Sequence, residues 1–418
     1  MQLKTLLNKI DRLKSFIYQK VTFQTIKDQE ALVIDIVARK NGLAQCSECK
    51  AISPIYDRQK TPRLFQHVPL WGFAVYYHYR MRRVTCKQHG VRVEALPWAQ
   101  GKRPNTRMFE VFLAKWARRL SWSETANCFK TSWESVYRSV KSIVEYGLER
   151  RNLMGVKAIG VDEIQFGQGH NYLTLVYQID QGSKRLLSVT KERTVRSLLG
   201  FFRMMGKAGS AGIQFICSDM WPAYLKVIKK KAPDALHILD RFHIVANLNK
   251  GLNEIRATEA KRLIQQGFEN VLKNTKYCFL KRPENLTPKQ KTKLDEVMKY
   301  DLKSVRAFLL KESFQQFWNY SSAYWAEWYL KKWCARAMKS QLEPIKKFVR
   351  SMRKHQPLIL NWFRAKKAYS SGTVEGLNRK INLITRKSYG FRNFEVLKIA
   401  LFHGMGDLPE PKIPHRFC

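Results

Sequence analysis

Val156-Lys-Ala-Ile-Gly-Val-Asp162 and Ile213-Gln-Phe-Ile-Cys-Ser-Asp219 are two apolar runs that each end on an aspartate. Short runs rich in Val and Ile, bounded by turn signals, read as buried strands. Further strand signals fall at 171–179, 185–189 and 235–239, and helical spacing fills 195–205 and 221–230. Three strands, then helix, strand, helix, strand suits a ribonuclease H-like α/β core, and on order alone other α/β folds as well. An acid at the end of a buried strand stays ionised only when paired, hydrogen-bonded or bound to a cation. Two such ends on neighbouring strands can hold hard divalent cations through oxygen ligands. Taken singly, each aspartate is more often a cap or turn residue than a functional one. Glu163 follows Asp162 directly, so strand alternation sends its side chain to the other face.

Downstream of Asp240 the pattern is almost wholly helical to about residue 362, with one break at Lys281-Arg-Pro-Glu-Asn-Leu-Thr-Pro288. Upstream, residues 106–148 have helical spacing, and 96–105 carry breakers and charge suited to a linker. Residues 1–100 read as β-rich, with strands expected at 31–37 and 73–84. The tail after Gly404 carries three prolines and is expected to be irregular. The chain shows no repeat of fixed period and no low-complexity tract.

Charge narrows the function. The 418 residues hold 76 Lys plus Arg against 33 Asp plus Glu, a net charge of +43. With 45% hydrophobic residues the chain has ample core material, so disorder does not account for that charge. Such self-repulsion points to a polyanionic partner, DNA or RNA, whose condensed counterions are released on binding. No run approaches the roughly 18 apolar residues of a membrane span. The first 19 residues lack the features of a secretory signal. A cytoplasmic protein is expected, and its eight cysteines then argue for metal binding rather than disulfides.

Cys46-Ser-Glu-Cys49 and Cys86-Lys-Gln-His89 are two pairs with two-residue spacers, the pattern of two tight turns closing a tetrahedron around one structural zinc ion. His67 or His78 can stand in for His89 as fourth ligand. Residues 120–140 have the form of a helix-turn-helix with Ser121 and Ser132 at N-cap positions. Trp122, Ala126 and Phe129 are expected to pack on Trp133, Val136 and Val140. Ser132, Glu134, Ser135, Tyr137 and Arg138 then meet the DNA major groove. An ordinary helical hairpin gives the same pattern.

A third acid lies in Ser370-Ser-Gly-Thr-Val-Glu375-Gly-Leu-Asn-Arg-Lys-Ile381. Val374, Leu377, Ile381 and Ile384 share the apolar side of this helix. Glu375, Asn378, Arg379, Asn382 and Arg386 share the polar side. Glu375 also suits the helix dipole or an i,i+4 pair with Arg379. The setting favours more: residues 331–400 hold 18 Lys plus Arg and three acids, so one retained carboxylate on a phosphate-binding face reads as a metal ligand.

These motifs, with Gly160-Val-Asp-Glu163, Gly169-His-Asn-Tyr-Leu-Thr174, Ser218-Asp-Met-Trp-Pro-Ala-Tyr224, Asp240-Arg-Phe-His243, Arg282-Pro-Glu-Asn-Leu-Thr287 and Tyr389-Gly-Phe-Arg-Asn-Phe394, resemble the bacterial insertion-sequence transposases of the ISL-three group, of the DDE class. The resemblance spans nearly the whole chain. His89 departs from it, where many relatives have cysteine, as does the basic turn Phe129-Lys-Thr131. It implies an α/β multidomain protein: a zinc-binding β-rich region (1–104), a helix-turn-helix (105–150), and a ribonuclease H-like core (151–245 and 369–404). An all-helical insertion (246–368) interrupts that core, and 405–418 form the tail. It implies Asp162, Asp219 and Glu375 as a triad holding two Mg²⁺ or Mn²⁺ ions, with Asp240 and His243 close by. DNA contacts are expected from the helix-turn-helix and from Arg379, Asn382, Arg386, Lys387 and Arg392. The implied activity is metal-dependent cleavage and transfer of strands at terminal inverted repeats, by a homodimer or larger assembly near the bacterial nucleoid. A DNA-binding regulator derived from a transposase, or a nuclease without strand transfer, are the alternatives.

Overall fold

The computed structural model describes residues 3–101, 103–167, 169, 171–369 and 371–413. Lys102, His170, Ser370 and the tail end 414–418 of the segments quoted above lie outside the described residues. The chain forms two compact units, one of residues 1–152 with 383–418 and one of residues 153–382.

In the first unit, helix α1 (Leu3–Ile10) leads into strands β1 (Phe16–Ile26), β2 (Gln29–Ala38), β3 (Ile55–Arg58), β4 (Arg63–Leu70), β5 (Phe73–Tyr79), β6 (Arg82–Cys86) and β7 (Gly90–Val93). They make a sheet of order β1-β2-β5-β4 and another of order β3-β6-β7. The single strand expected at 73–84 is therefore two strands in different sheets. The break turns Arg82 inward, where its Nη2 meets Glu94 Oε2 at 2.6 Å and the Tyr79 hydroxyl donates to Glu94 Oε1 at 2.5 Å. A charge pair this buried persists because each partner is hydrogen-bonded. Trp98 packs edge-on against Phe16 and Tyr79 beneath the first sheet.

Helices α2 (Arg107–Ala117), α3 (Trp122–Cys128) and α4 (Trp133–Arg150) follow. Ser121 and Glu124 close a capping box, and Ser132 accepts from the Ser135 amide, as their positions predict. Three expected contacts differ. Phe129 packs on α2, 4.7 Å from Phe112, instead of on α4. Trp133 is 54% exposed, and Tyr137 turns back to sit 5.3 Å from Trp122. Lys130, with a φ of +51°, takes the left-handed turn that glycine often fills between α3 and α4.

The second unit is built on a five-stranded sheet of β8 (Ala158–Gln165), β9 (Tyr172–Asp180), β10 (Ser183–Lys191), β11 (Phe215–Ser218) and β12 (Leu236–Leu239), in the order β10-β9-β8-β11-β12. β8, β9 and β10 are antiparallel neighbours, whereas β8, β11 and β12 run parallel. Helices α5 (Val195–Ala211) and α6 (Pro222–Lys231) supply the parallel crossovers and share a core with Ile159, Val161, Val176 and Ile216. The helical stretch comprises α7 (Arg241–Gln265), α8 (Lys276–Leu280), α9 (Pro288–Val297), α10 (Lys303–Gln315), α11 (Ala323–Met338) and α12 (Glu343–Arg364). Phe314, Phe317 and Trp333 fill its core. Glu259 of α7 is buried and accepts from the Lys303 and Ser304 amides, satisfying the start of α10 from a distance.

Helix α13 (Ser371–Lys387) places Val374, Leu377 and Ile381 in the interior, as its periodicity predicts. A Cβ on Gly160 would lie 2.4 Å from Val374 Cγ2, so glycine on β8 is what lets this helix approach the sheet. Gly160→Ala is accordingly expected to cost about 1–3 kcal/mol by overpacking. Chemical denaturation monitored at the aromatic residues checks this; an unchanged midpoint would show that α13 sits farther out. The last helix, α14 (Phe394–Met405), belongs to the first unit and lies against α4. A Cβ on Gly147 would come 2.6 Å from Leu408, and Arg118 pairs with Glu410 at 2.6 Å.

Candidate active site and metal centre

Register sets the acids side by side. Cys217 pairs with Gly160 and Ser218 with Leu239, so counting on along parallel strands brings Asp162, Asp219 and Asp240 to one level at adjacent strand ends. Asp162 Oδ2 accepts from Asn378 Nδ2 at 2.6 Å, and Asn378 Oδ1 in turn accepts from the Tyr177 hydroxyl at 2.6 Å. Glu375 stands one helical turn before Asn378 on α13, half-exposed, with Oε1 2.6 Å from Arg379. The i,i+4 partner anticipated from the sequence is thus present. Asp240 caps α7 through the Phe242 amide and lies 3.5 Å from His243 Nε2.

Asp219 is 7% exposed; it accepts from the Trp221 amide and pairs with Arg193. The same guanidinium meets Glu163 Oε1 at 2.5 Å and lies 4.1 Å over the Trp221 ring. Arg193 and Tyr177 escape the sequence reading, and Glu163 and Asn378 are read there only as neighbours on a strand and a helix face. Glu163 adjoins Asp162, yet alternation only tells that it points elsewhere; that elsewhere is Asp219.

Burial dominates the electrostatics. It raises the Asp162 carboxyl, against the Glu163 amide, His243 and Asn378, which favour the charge. Burial and then repulsion from Asp219 push Glu163 up to about 8, against the pull of Arg193. Glu163 and Asp219 share the Arg193 guanidinium, and the Tyr224 hydroxyl also faces Glu163. The carboxylate oxygens of Asp162 and Asp219 at the strand ends are the donor type that a hard divalent cation takes.

Among the described residues, three or more Cys, His, Asp or Glu ligand atoms lie within 4.8 Å of one another only at Cys46, Cys49, Cys86 and His89. Asp162, Asp219 and Glu375 share the second unit without being drawn to ligand distance. In the quartet, Cys49 Sγ is 3.6 Å from Cys86 Sγ, and His89 Nδ1 is 3.6 Å from Cys86 Sγ and 3.9 Å from Cys46 Sγ. Such separations suit a tetrahedron with metal–ligand bonds of about 2.0–2.3 Å. The Gln88 amide, then His89, draws the Cys86 thiol down to about 6, toward the thiolate that metals need. His67 is held by Thr106 and Tyr77, and His78 by Asp35, so neither replaces His89.

Residues 159–401 match the model of the ISL3 group of DDE transposases. The chain belongs to this family. Residues 43–89, which hold the quartet, match the zinc finger of the transposases of IS204, IS1001, IS1096 and IS1165. The chain is 28% identical over 399 residues to the transposase for insertion sequence element IS1557 of Mycobacterium tuberculosis, covering 90% of this chain and 88% of that one. It is 24% identical over 365 residues to the transposase for IS1001 of Bordetella parapertussis, covering 86% and 89%. As a member of a DNA-cleaving and -transferring family it has DNA for a partner, and its zinc ribbon holds a Cys₃His ligand set for a structural ion. Among the described residues no helix is long and apolar enough to cross a membrane.

The expected DNA contacts are unevenly available in this transposase. Glu134 and Arg138 are exposed and paired with each other at 3.2 Å. The Ser132 hydroxyl caps α4, and Ser135 Oγ accepts from Asn105 at 2.6 Å. Arg379, Asn382, Arg386, Lys387 and Arg392 are exposed, with Lys387 Nζ 3.4 Å from the Arg118 carbonyl.

Proposed function

We propose that the protein binds the terminal repeats of its insertion sequence and cuts and joins DNA strands at a two-ion site held by Asp162, Asp219 and Glu375. The observation that carries this is the row of strand-end acids, with α13 tied to it through Asn378. The sheet order and its parallel half support a ribonuclease H-like core of residues 151–245 with the catalytic helix, interrupted by the helical stretch. Mg²⁺ or Mn²⁺, when bound, would activate water or a 3′-hydroxyl and stabilise the leaving oxygen. The chain's own part is to aim the ligands. Asn378 fixes the Asp162 carboxylate, while Arg193 and Arg379 neutralise acids that the ions would otherwise occupy. His243, 3.5 Å from Asp240, would contact the leaving strand.

We further propose α3–α4 as a helix-turn-helix reading DNA through Ser132, Glu134, Ser135, Tyr137 and Arg138. Arg379, Asn382, Arg386, Lys387 and Arg392 would grip phosphates, in a dimer or larger synapse on the bacterial nucleoid. Incubating the protein with labelled element ends, a plasmid and Mg²⁺ should give joined products. Cleavage without joining would indicate a nuclease, and binding alone a regulator. The net charge of +43 also sets a salt dependence. With roughly 6–10 phosphate contacts, affinity for terminal DNA should fall by about 10³–10⁵ between about 50 and 200 mM salt. A flat titration would mean that the charge serves something else.

A further inference from the structure

Asp240-Arg-Phe242, at the start of α7, and Arg282, after α8, meet at one cavity of about 400 Å³ in the second unit. Arg241, Phe242, Asn249, Arg282 and Trp362 line it, and Asp240 and Glu375 are part of the same lining. Its volume lies at the small end of the roughly 300–1,000 Å³ typical of small-molecule pockets. That is room for a small molecule rather than for a duplex.

The chemistry of the walls is specific. The Arg241 guanidinium lies 5.0 Å over the Trp318 ring and 5.8 Å over Trp362, so its position is fixed from behind. Arg282 adds a second guanidinium, 3.9 Å from exposed Glu284. Lys311 is spent on Glu312 at 2.6 Å and on the Phe279 and Lys281 carbonyls, which leaves the two arginines as the cavity's anion ligands. Phe242 is 62% exposed, an aromatic face left to water. Asn249 Oδ1 is buried and has no hydrogen-bond donor. An acceptor left without a donor is satisfied by an N–H or O–H brought to it, from a water or from a bound group.

We infer that this cavity receives a single unstacked nucleotide of the DNA end, its base against Phe242 and an amino hydrogen on Asn249 Oδ1, its phosphate on Arg241 and Arg282. Enzymes that act within a duplex commonly extrude a nucleotide and read it by stacking and edge hydrogen bonds. Aromatic stacking holds an unpaired base whatever its identity, and the asparagine acceptor adds a preference for bases with an exocyclic amino group. The inference rests on the proposed function, because Asp240 and Glu375 share the cavity with the nucleotide's binding groups.

The test uses the full chain and duplexes of the element's terminal sequence, with 2-aminopurine moved one position at a time through the cleavage junction. With no divalent ion added, emission should rise about threefold or more at one position on binding, as a base leaves the stack. Phe242→Ala, which removes an exposed ring, and Asn249→Ala should each return that position to the level of free duplex while the DNA stays bound in a gel shift. Flat emission at every position with bound duplex would overturn the cavity assignment. Adding Mg²⁺ to the same samples then separates the two ideas. Nicking after flat emission leaves the transposase site standing and the pocket refuted; emission that rises without nicking supports the pocket and counts against the triad.

Discussion

Glu375→Ala is expected to lower strand cleavage by about 10³-fold or more, some 4 kcal/mol of lost transition-state stabilisation. Binding of terminal DNA should stay within about threefold, since one acid is lost from a surface dominated by phosphate attraction. The comparison that gives this force is Arg379→Ala. Glu375 and Arg379 are an exposed i,i+4 pair, 2.6 Å apart. If that pair were the whole purpose of Glu375, either substitution would cost only about 0.3–0.5 kcal/mol and cleavage would survive both. A metal ligand predicts asymmetry instead: at saturating protein, Arg379→Ala still nicks and Glu375→Ala does not. Wild-type nicking by Glu375→Ala in Mg²⁺ would remove α13 from the active site.

Cys86→Ser is expected to abolish zinc binding and unfold the ribbon. Cys86 is buried at the meeting of β6 with the turn to β7, facing Cys49 and His89. The local apolar core around the quartet is small, comprising Ala44, Cys46, Val84 and Cys86, so little besides the metal holds the turns together. Structural zinc contributes on the order of 10 kcal/mol of apparent binding free energy at neutral pH. Wild-type protein should carry one zinc per chain by elemental analysis. The Cys86→Ser protein should carry none and lose amide protection across 44–94, while the 158–239 sheet keeps its own. Retained protection in zinc-free protein would make the quartet a set of ordinary buried thiols.

Much of this was legible in the sequence because it rests on local rules. Strand-end aspartates, paired cysteine spacers and N-cap serines announce themselves within a few residues. Helix α13 likewise shows its buried face through Val374, Leu377 and Ile381, which recur at helical spacing. What stayed hidden depends on the partner. The separation of β5 from β6 brings Arg82 onto Glu94, twelve residues away, a pairing that no periodicity reveals. Arg193 looked like one of many bases until the fold placed it between Glu163 and Asp219. Asn378 was visible on the polar side of α13, but its grip on Asp162 spans 216 residues. The fourth zinc ligand was ambiguous because three histidines had suitable reach; tertiary partners for His67 and His78 resolved it.

The position of α14 has a practical consequence for anyone dissecting the gene. Its helix and the Leu408–Glu410 segment close over α2 and α4, with Leu408 seated at Gly147 and Glu410 on Arg118. A fragment that stops at codon 152 would therefore expose the seam these residues cover and tend to clump on expression. The first unit is better produced as a spliced polypeptide, with 383–413 rejoined to 1–152 through a short flexible bridge.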